Sequence, residues 1–372
     1  VEGEDRPGTN QRKSSLDQRK SPLGSELSLD RPVPISAPAR RRLFADGALL
    51  LTAVVWGSTF VIVKAAVAEL PLMTFLALRF TLAFATLAIV FRRDLAANWR
   101  RLTGPGLVMG LCLFTGFALQ TTGLQFTQAS RAGFITGLSV VFVPVLEAAI
   151  TRKWPPTRAF VGVTLALAGL VLLFIVPALA QAVTPVEALQ SGAVAGPTGR
   201  LLGDLLVLAC ALAFGCHIAS TGHYASTRTR TYGEAGALAA VQLGVAALGY
   251  LAICAVQSTR GGAGIATLLP DGATWAHPFS LGTAAAIVMT GLLATAGAFL
   301  TQTAAQRLTP PTHTALIFAT EPVFAAFFGW LALGEKLGPW SLGGCLLILA
   351  GMLVAELPGR GTEKPAAGMR PS

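Results

Sequence analysis

From residue 48 to residue 356 the chain alternates between apolar runs of about 20 residues and short polar breaks. A run of that length suits a helix crossing a hydrocarbon core about 30 Å thick. The runs fall at 48–68, 72–91, 106–126, 132–150, 158–177, 201–222, 235–256, 281–304, 312–332 and 339–356, which predicts an all-α integral membrane protein with ten transmembrane helices. Pro71, Pro105, Pro311 and Pro339 stand at or just before run starts, where a missing N–H costs little. Pro144 and Pro322 fall inside runs and are expected to bend them, with neighbouring helices taking up the freed carbonyls. The longest connections, 178–200 and 257–280, are rich in Gly, Ala and Thr rather than in charge.

A duplication underlies the pattern. Shifted by 182 residues, 107–171 lies over 289–353 without a gap. The coincidences include Phe117/Phe299, Gln120/Gln302, Thr121/Thr303, Thr127/Thr309, Phe142/Phe324, Gly162/Gly344 and Gly169/Gly351. Earlier spans match more weakly, with Trp56-Gly57 against Phe214-Gly215 and Arg79 against Gln242. An odd number of spans per copy forces the copies into opposite orientations, giving two inverted-topology five-helix repeats. The expected organisation is a tail at 1–45, repeats at 46–178 and 201–357, a linker at 179–200 and a second tail at 358–372. Inverted repeats open alternately to each side around a site near the midplane, although channels use inverted duplications too.

Composition supports the membrane reading: 53% of the residues are hydrophobic and 12% charged, and mean hydropathy is +0.63. The net charge of +10 raises a nucleic-acid partner, but the basic residues are scattered over the first 42 residues and the short loops between apolar runs, so that partner is set aside. The polar, Pro-, Ser- and Arg-rich start reads as a disordered tail rather than a secretory leader. With the N-terminus cytoplasmic, inner loops hold Arg92, Arg93, Arg100, Arg101, Arg152, Lys153, Arg158, Arg228, Arg230 and Arg307, against Arg131, Arg200, Arg260 and Lys336 outside. Both termini are therefore expected inside. The five cysteines lie in apolar runs with neither disulfide nor zinc spacing, and no metal or cofactor is expected.

WGSTFVIVK at 56–64 and LRF at 78–80 resemble the EamA-type family of the drug/metabolite transporter superfamily. So do GLQFTQASRAGFITGLSVVFVPVLEA at 123–148 and EPVFAAFFGWLALGEKLGPWSLGGCLLILAGM at 321–352. The resemblance covers about 46–356 and implies a ten-helix inverted-repeat fold in a bacterial inner membrane, with export of amino acids or related metabolites in many members. It names no substrate. FGCHIAS at 214–220 replaces a run that is more usually aromatic, so a family substrate site does not transfer onto that span.

Ionisable groups within spans are costly, which makes each a functional candidate. Glu321, near the middle of the ninth span and followed by Pro322, either couples or gates transport or pins two helices together. Arg79 either holds a substrate carboxylate bidentately or pairs with Glu321. Lys64 stands near the outer end of the first span and snorkels or gates. Glu147, near the inner end of the fourth span, reads as an interface group. Gln120, Gln302 and Gln242 are amides suited to a small polar solute or to interhelical hydrogen bonds. Trp56 stacks on substrate or packs, and His217 and His313 read as satisfied within the bundle. Gly106/Gly110 and Gly133/Gly137 have the spacing of close helix packing. No nucleotide loop, HExxH site or nucleophile elbow appears, so no enzyme activity is expected. The expectation is a secondary carrier in a lipid bilayer, exporting amino acids or related metabolites, either proton-coupled or a facilitator. A multidrug or organic-cation exporter, and a membrane sensor or enzyme on the same fold, are the alternatives. One chain suffices for a pathway, and a dimer is compatible.

Overall fold

The computed structural model describes residues 39–66, 70–124, 126, 135–172, 176, 197–259, 280–333 and 338–356. The elements are α1 (Ala39–Ala66), α2 (Leu72–Val90), α3 (Arg92–Leu124), α4 (Ser139–Thr151), α5 (Thr157–Leu170), α6 (Pro197–Arg228), α7 (Tyr232–Thr259) and α8 (Leu281–Gly291). A π-helical turn at Leu292–Gly297 leads into α9 (Ala298–Ala305), followed by α10 (Pro311–Phe318), α11 (Glu321–Leu333) and α12 (Pro339–Glu356). Helix overlies each of the ten predicted runs. By length and hydropathy, 72–90, 92–123, 201–228, 232–257 and 281–305 are long and apolar enough to cross a membrane, and 135–151, 157–170 and 339–355 are shorter apolar helices. Most of the predicted tails at 1–45 and 358–372, and of the linker at 179–200, lies outside the described residues, as do Thr127, Arg131, Gly133, Arg260 and Lys336.

Helices and apolar runs differ at their ends. α1 starts at Ala39 and α3 at Arg92, so α3 passes through Pro105 instead of beginning there. Helix propensity in RRDLAANWRRL carries it outward, beyond where hydropathy ends. α4 likewise runs on through Pro144. The interruption lies earlier, at Leu138, whose N–H reaches back only to Ile135 O (3.1 Å) while its own O accepts from Val141 N (2.9 Å). The predicted ninth span is two helices, broken at the repeat-equivalent place: Thr320 N–H donates to Ile317 O (3.1 Å) and Thr320 O accepts from Val323 N (2.9 Å). Pro322 explains this second break, because it offers no N–H to the Phe318 carbonyl.

Glycines set the packing. Gly106 and Gly110 of α3 lie on Val241 and Val245 of α7, too close for a Cβ. Gly57 of α1 meets the Phe324 side chain of α11, and the repeat-equivalent Gly215 of α6 meets Phe142 of α4. Gly162 and Gly169 of α5 face the carbonyls of Gly351 and Gly344 of α12, respectively. Ascending along α5 thus means descending along α12, so these equivalent helices run antiparallel where they touch. Packing partners follow the same exchange: α3 on α6 and α1 on α9, α4 on α6 and α1 on α11, α3 on α7 and α2 on α8.

Candidate functional site

The halves meet over an aromatic cluster. Trp56 stands 5.6 Å from Phe299 and 4.9 Å from Phe318, while Phe214 stands 5.0 Å from Phe117. Trp56 with Phe299 and Phe214 with Phe117 are repeat-equivalent pairs, so Phe214 occupies in α6 the place that Trp56 has in α1. Phe80 lies against Phe117 (5.4 Å), Tyr250 (5.3 Å) and Phe299 (6.5 Å). Tyr250 donates its hydroxyl to Phe114 O at 3.0 Å, which leaves its ring as apolar wall.

Into this cluster α2 projects Arg79, which is 7% exposed. Its Nε donates to Thr295 Oγ1 (2.5 Å) and its Nη2 to Ala294 O (3.3 Å). The same carbonyl accepts from Trp56 Nε1 at 2.8 Å. The π-helical turn is what frees it. Thr295 Oγ1 donates to Thr290 O, and the N–H of Ala298 reaches Leu293 O five residues back. Where a helix returns from i−5 to i−4 pairing one carbonyl is passed over, and Ala294 O takes its donors from α1 and α2 instead. The guanidinium carbon lies 5.8 Å from the Phe117 ring centre and 6.0 Å from that of Phe80, within cation–π range. Among the described residues Nη1 has no partner, and it is not sealed off.

Glu321 opens α11 directly after the break at Ala319–Thr320. It and Arg79 lie within reach of each other's charge, yet they form no ion pair within 4 Å. Among the described residues the Glu321 carboxylate accepts no hydrogen bond, and it is only partly buried. Pro322 follows it in the first turn of α11. The site therefore holds a cation and an anion, both partly uncommitted, between aromatic walls.

The amides have hydrogen-bond partners of their own. Gln242 is fully buried, its Oε1 2.7 Å from His217 Nε2 and its Nε2 donating to Thr303 Oγ1 at 3.0 Å. His217 also stands edge-on to Phe299 at 5.6 Å. Gln302 Nε2 donates to Gln306 Oε1 (3.0 Å), while its buried Oε1 has no partner. Gln120 Nε2 donates to Thr136 Oγ1 at 3.2 Å. Gln120 and Gln302, equivalent in the repeat, thus have separate partners and no bond to each other. Lys64 lies on α1, its side chain outside the described residues. Sequence reading missed Thr295 and the Ala294 carbonyl, since the small residues of LLATAG carry no mark of a π turn.

Comparison with known proteins agrees with this architecture. The EamA-like transporter family matches residues 43–175 and again 201–356. An uncharacterized transporter of Archaeoglobus fulgidus is 29% identical over 319 residues, spanning 85% of this chain and 87% of its own. One solved crystal structure superposes with a TM-score of 0.60 at 19% identity, covering 83% of this chain and 96% of its own, a likeness of fold alone.

Proposed function

The chain belongs to the EamA-like transporter family and is a membrane transporter, and from that premise we propose a secondary carrier that exports amino acids or related zwitterionic metabolites across the bacterial inner membrane by alternating access. The observation carrying this reading is the placement of Arg79 and Glu321. Among the described residues Arg79 Nη1 has no partner and can take a solute carboxylate, and the Glu321 carboxylate, within reach of the Arg79 charge, can take an ammonium. Aromatic walls from Trp56, Phe80, Phe117 and Phe299 accept the solute's apolar part. A purely cationic drug would meet Arg79 as a like charge, which places organic-cation export second.

Alternating access is supported by the antiparallel contact of α5 with α12 and by the exchange-symmetric packing of the helices, both as ten spans in two inverted repeats require. Glu321 is the coupling group in this reading: as its carboxylate has no donor among the described residues, a proton or a substrate ammonium is its natural partner. Pro322 keeps the adjoining backbone break in place. Both termini lie in the cytoplasm and one chain encloses the pathway.

The experiment is flux of labelled amino acids, organic cations and nucleosides into proteoliposomes, with and without a pH gradient. Wild type is expected to move amino acids saturably and to respond to the gradient, and Glu321→Gln to lose that response. Flux of cations alone, or an unchanged response in Glu321→Gln, overturns the substrate or the coupling assignment respectively.

A further inference from the structure

Away from the central site, the segment joining α9 to α10 is held by four other parts of the molecule. Gln306 Nε2 donates to Ile218 O of α6 (2.9 Å), and Arg307 Nη2 to Arg230 O between α6 and α7. Thr309 Oγ1 donates to Asp46 Oδ1 of α1 (2.8 Å), and His313 Nε2 stands 3.6 Å from the same oxygen. Thr312 gives both its N–H (2.8 Å) and its hydroxyl to Glu147 Oε2 of α4. Gln306, Thr309 and Thr312 are almost fully buried.

Two of these anchors are carboxylates, and their chemistry differs from that of the carbonyl anchors. Pro311 opens α10 without an N–H, so the first donor of that helix belongs to Thr312, and Glu147 takes it. Hydrogen bonds to an ionised acceptor are the stronger kind, and a carboxylate stripped of them needs water in their place. The observed arrangement is clasped and dry, and releasing the segment requires water to reach Asp46 and Glu147 in place of these donors, which is the requirement of a two-state element.

We propose that Asp46 and Glu147 are gating residues whose carboxylates, reaching in from α1 and α4, clasp the α9–α10 segment and hold that end of the bundle shut, so that each transport cycle requires both to let go. The inference rests on the transporter reading, but its test reads access rather than flux, so each fails on its own. The repeat supplies a control. The offset that aligns Gly57 with Gly215 aligns Asp46 with Asp204 near the start of α6, and inversion puts Asp204 at the opposite end.

The test uses the full chain in membrane vesicles of known orientation, with its five cysteines replaced and a single reporter, Thr59→Cys, buried one turn beyond Trp56 on the same side of α1, where the native hydroxyl bonds the Trp56 carbonyl. A membrane-impermeant maleimide is added to one face at a time. Asp46→Asn and Glu147→Gln are each expected to speed labelling about tenfold from the face bearing the α9–α10 segment, and not from the other. Thr309→Val should do the same and Thr309→Ser should not, which keeps the test decisive if a carboxylate variant fails to fold. Unchanged labelling in variants that remain monodisperse overturns the proposal. So does an equal increase from both faces, or the same increase from Asp204→Asn.

Discussion

Gly162 of α5 and Gly351 of α12 stand back to back: a Cβ on the first would lie 2.7 Å from the carbonyl oxygen of the second, and a Cβ on the second 2.6 Å from that of the first. Gly169 meets the Gly344 carbonyl in the same way at 2.6 Å. The 182-residue offset pairs these four glycines as equivalents, so one close contact is made twice along a single helix crossing.

Alanine at Gly162 or Gly351 therefore meets backbone that a rotamer change cannot move. Each substitution should destabilise by about 1–3 kcal/mol, read as a lower Tm in detergent. Gly47 and Gly343 have nothing within 4 Å of a built Cβ, so Gly47→Ala and Gly343→Ala should be neutral or slightly stabilising. Equal effects at all four positions would remove the argument from close packing.

Arg79→Lys keeps a charge but cannot reach Thr295 and the Ala294 carbonyl with a fork. Solute flux should fall by roughly tenfold or more, about 1.4 kcal/mol or more of lost interaction, with KM rising. Thr295→Val should show part of the same loss. Wild-type kinetics in Arg79→Lys would mean that only net charge matters at this position.

The amide of Gln242 is engaged at both ends, by His217 and Thr303. Gln242→Leu is expected to lower Tm, by about 0.6–2 kcal/mol per lost interhelical bond, while KM per folded molecule changes little. A changed substrate preference without loss of Tm would assign Gln242 to the substrate site.

At one end of the bundle Glu234 accepts from Arg230 N (2.5 Å) and pairs with Arg101 (2.6 Å), while Thr231 Oγ1 accepts from Glu234 N in a T-x-x-E helix start. Glu234→Gln gives up the charge that the Arg101 guanidinium and the Arg230 N–H both meet, and should lower Tm by an amount equivalent to about 0.2–1 kcal/mol, the range for a partly exposed pair. The double variant Arg101→Gln/Glu234→Gln is expected to lose little more than Glu234→Gln alone. Additive losses would assign the effect to packing rather than to the pair.

Much of this was legible in the chain because it depends on local spacing. Apolar runs located the helices, and Pro322 marked a break that formed beside it. The duplication identified Gly162, Gly169, Gly344 and Gly351 as equivalents before any contact was known. α4 continues through Pro144, and the first-half break falls at Leu138, where no proline marks it in the sequence. Glu147 looked like an interface group because its partner, Thr312, is 165 positions away.

The sequence by itself determined the membrane class, the position of each apolar run and the pairing of one half with the other, since periodicity and hydropathy are properties of neighbouring residues. The tertiary structure decided that Trp56 and Arg79 share the Ala294 carbonyl, that Gln242 is committed to His217 and Thr303, and that two carboxylates hold the α9–α10 segment. Those bonds join residues far apart in the chain, and their partners exist only because helix packing leaves particular buried donors and acceptors unpaired until a distant side chain satisfies them.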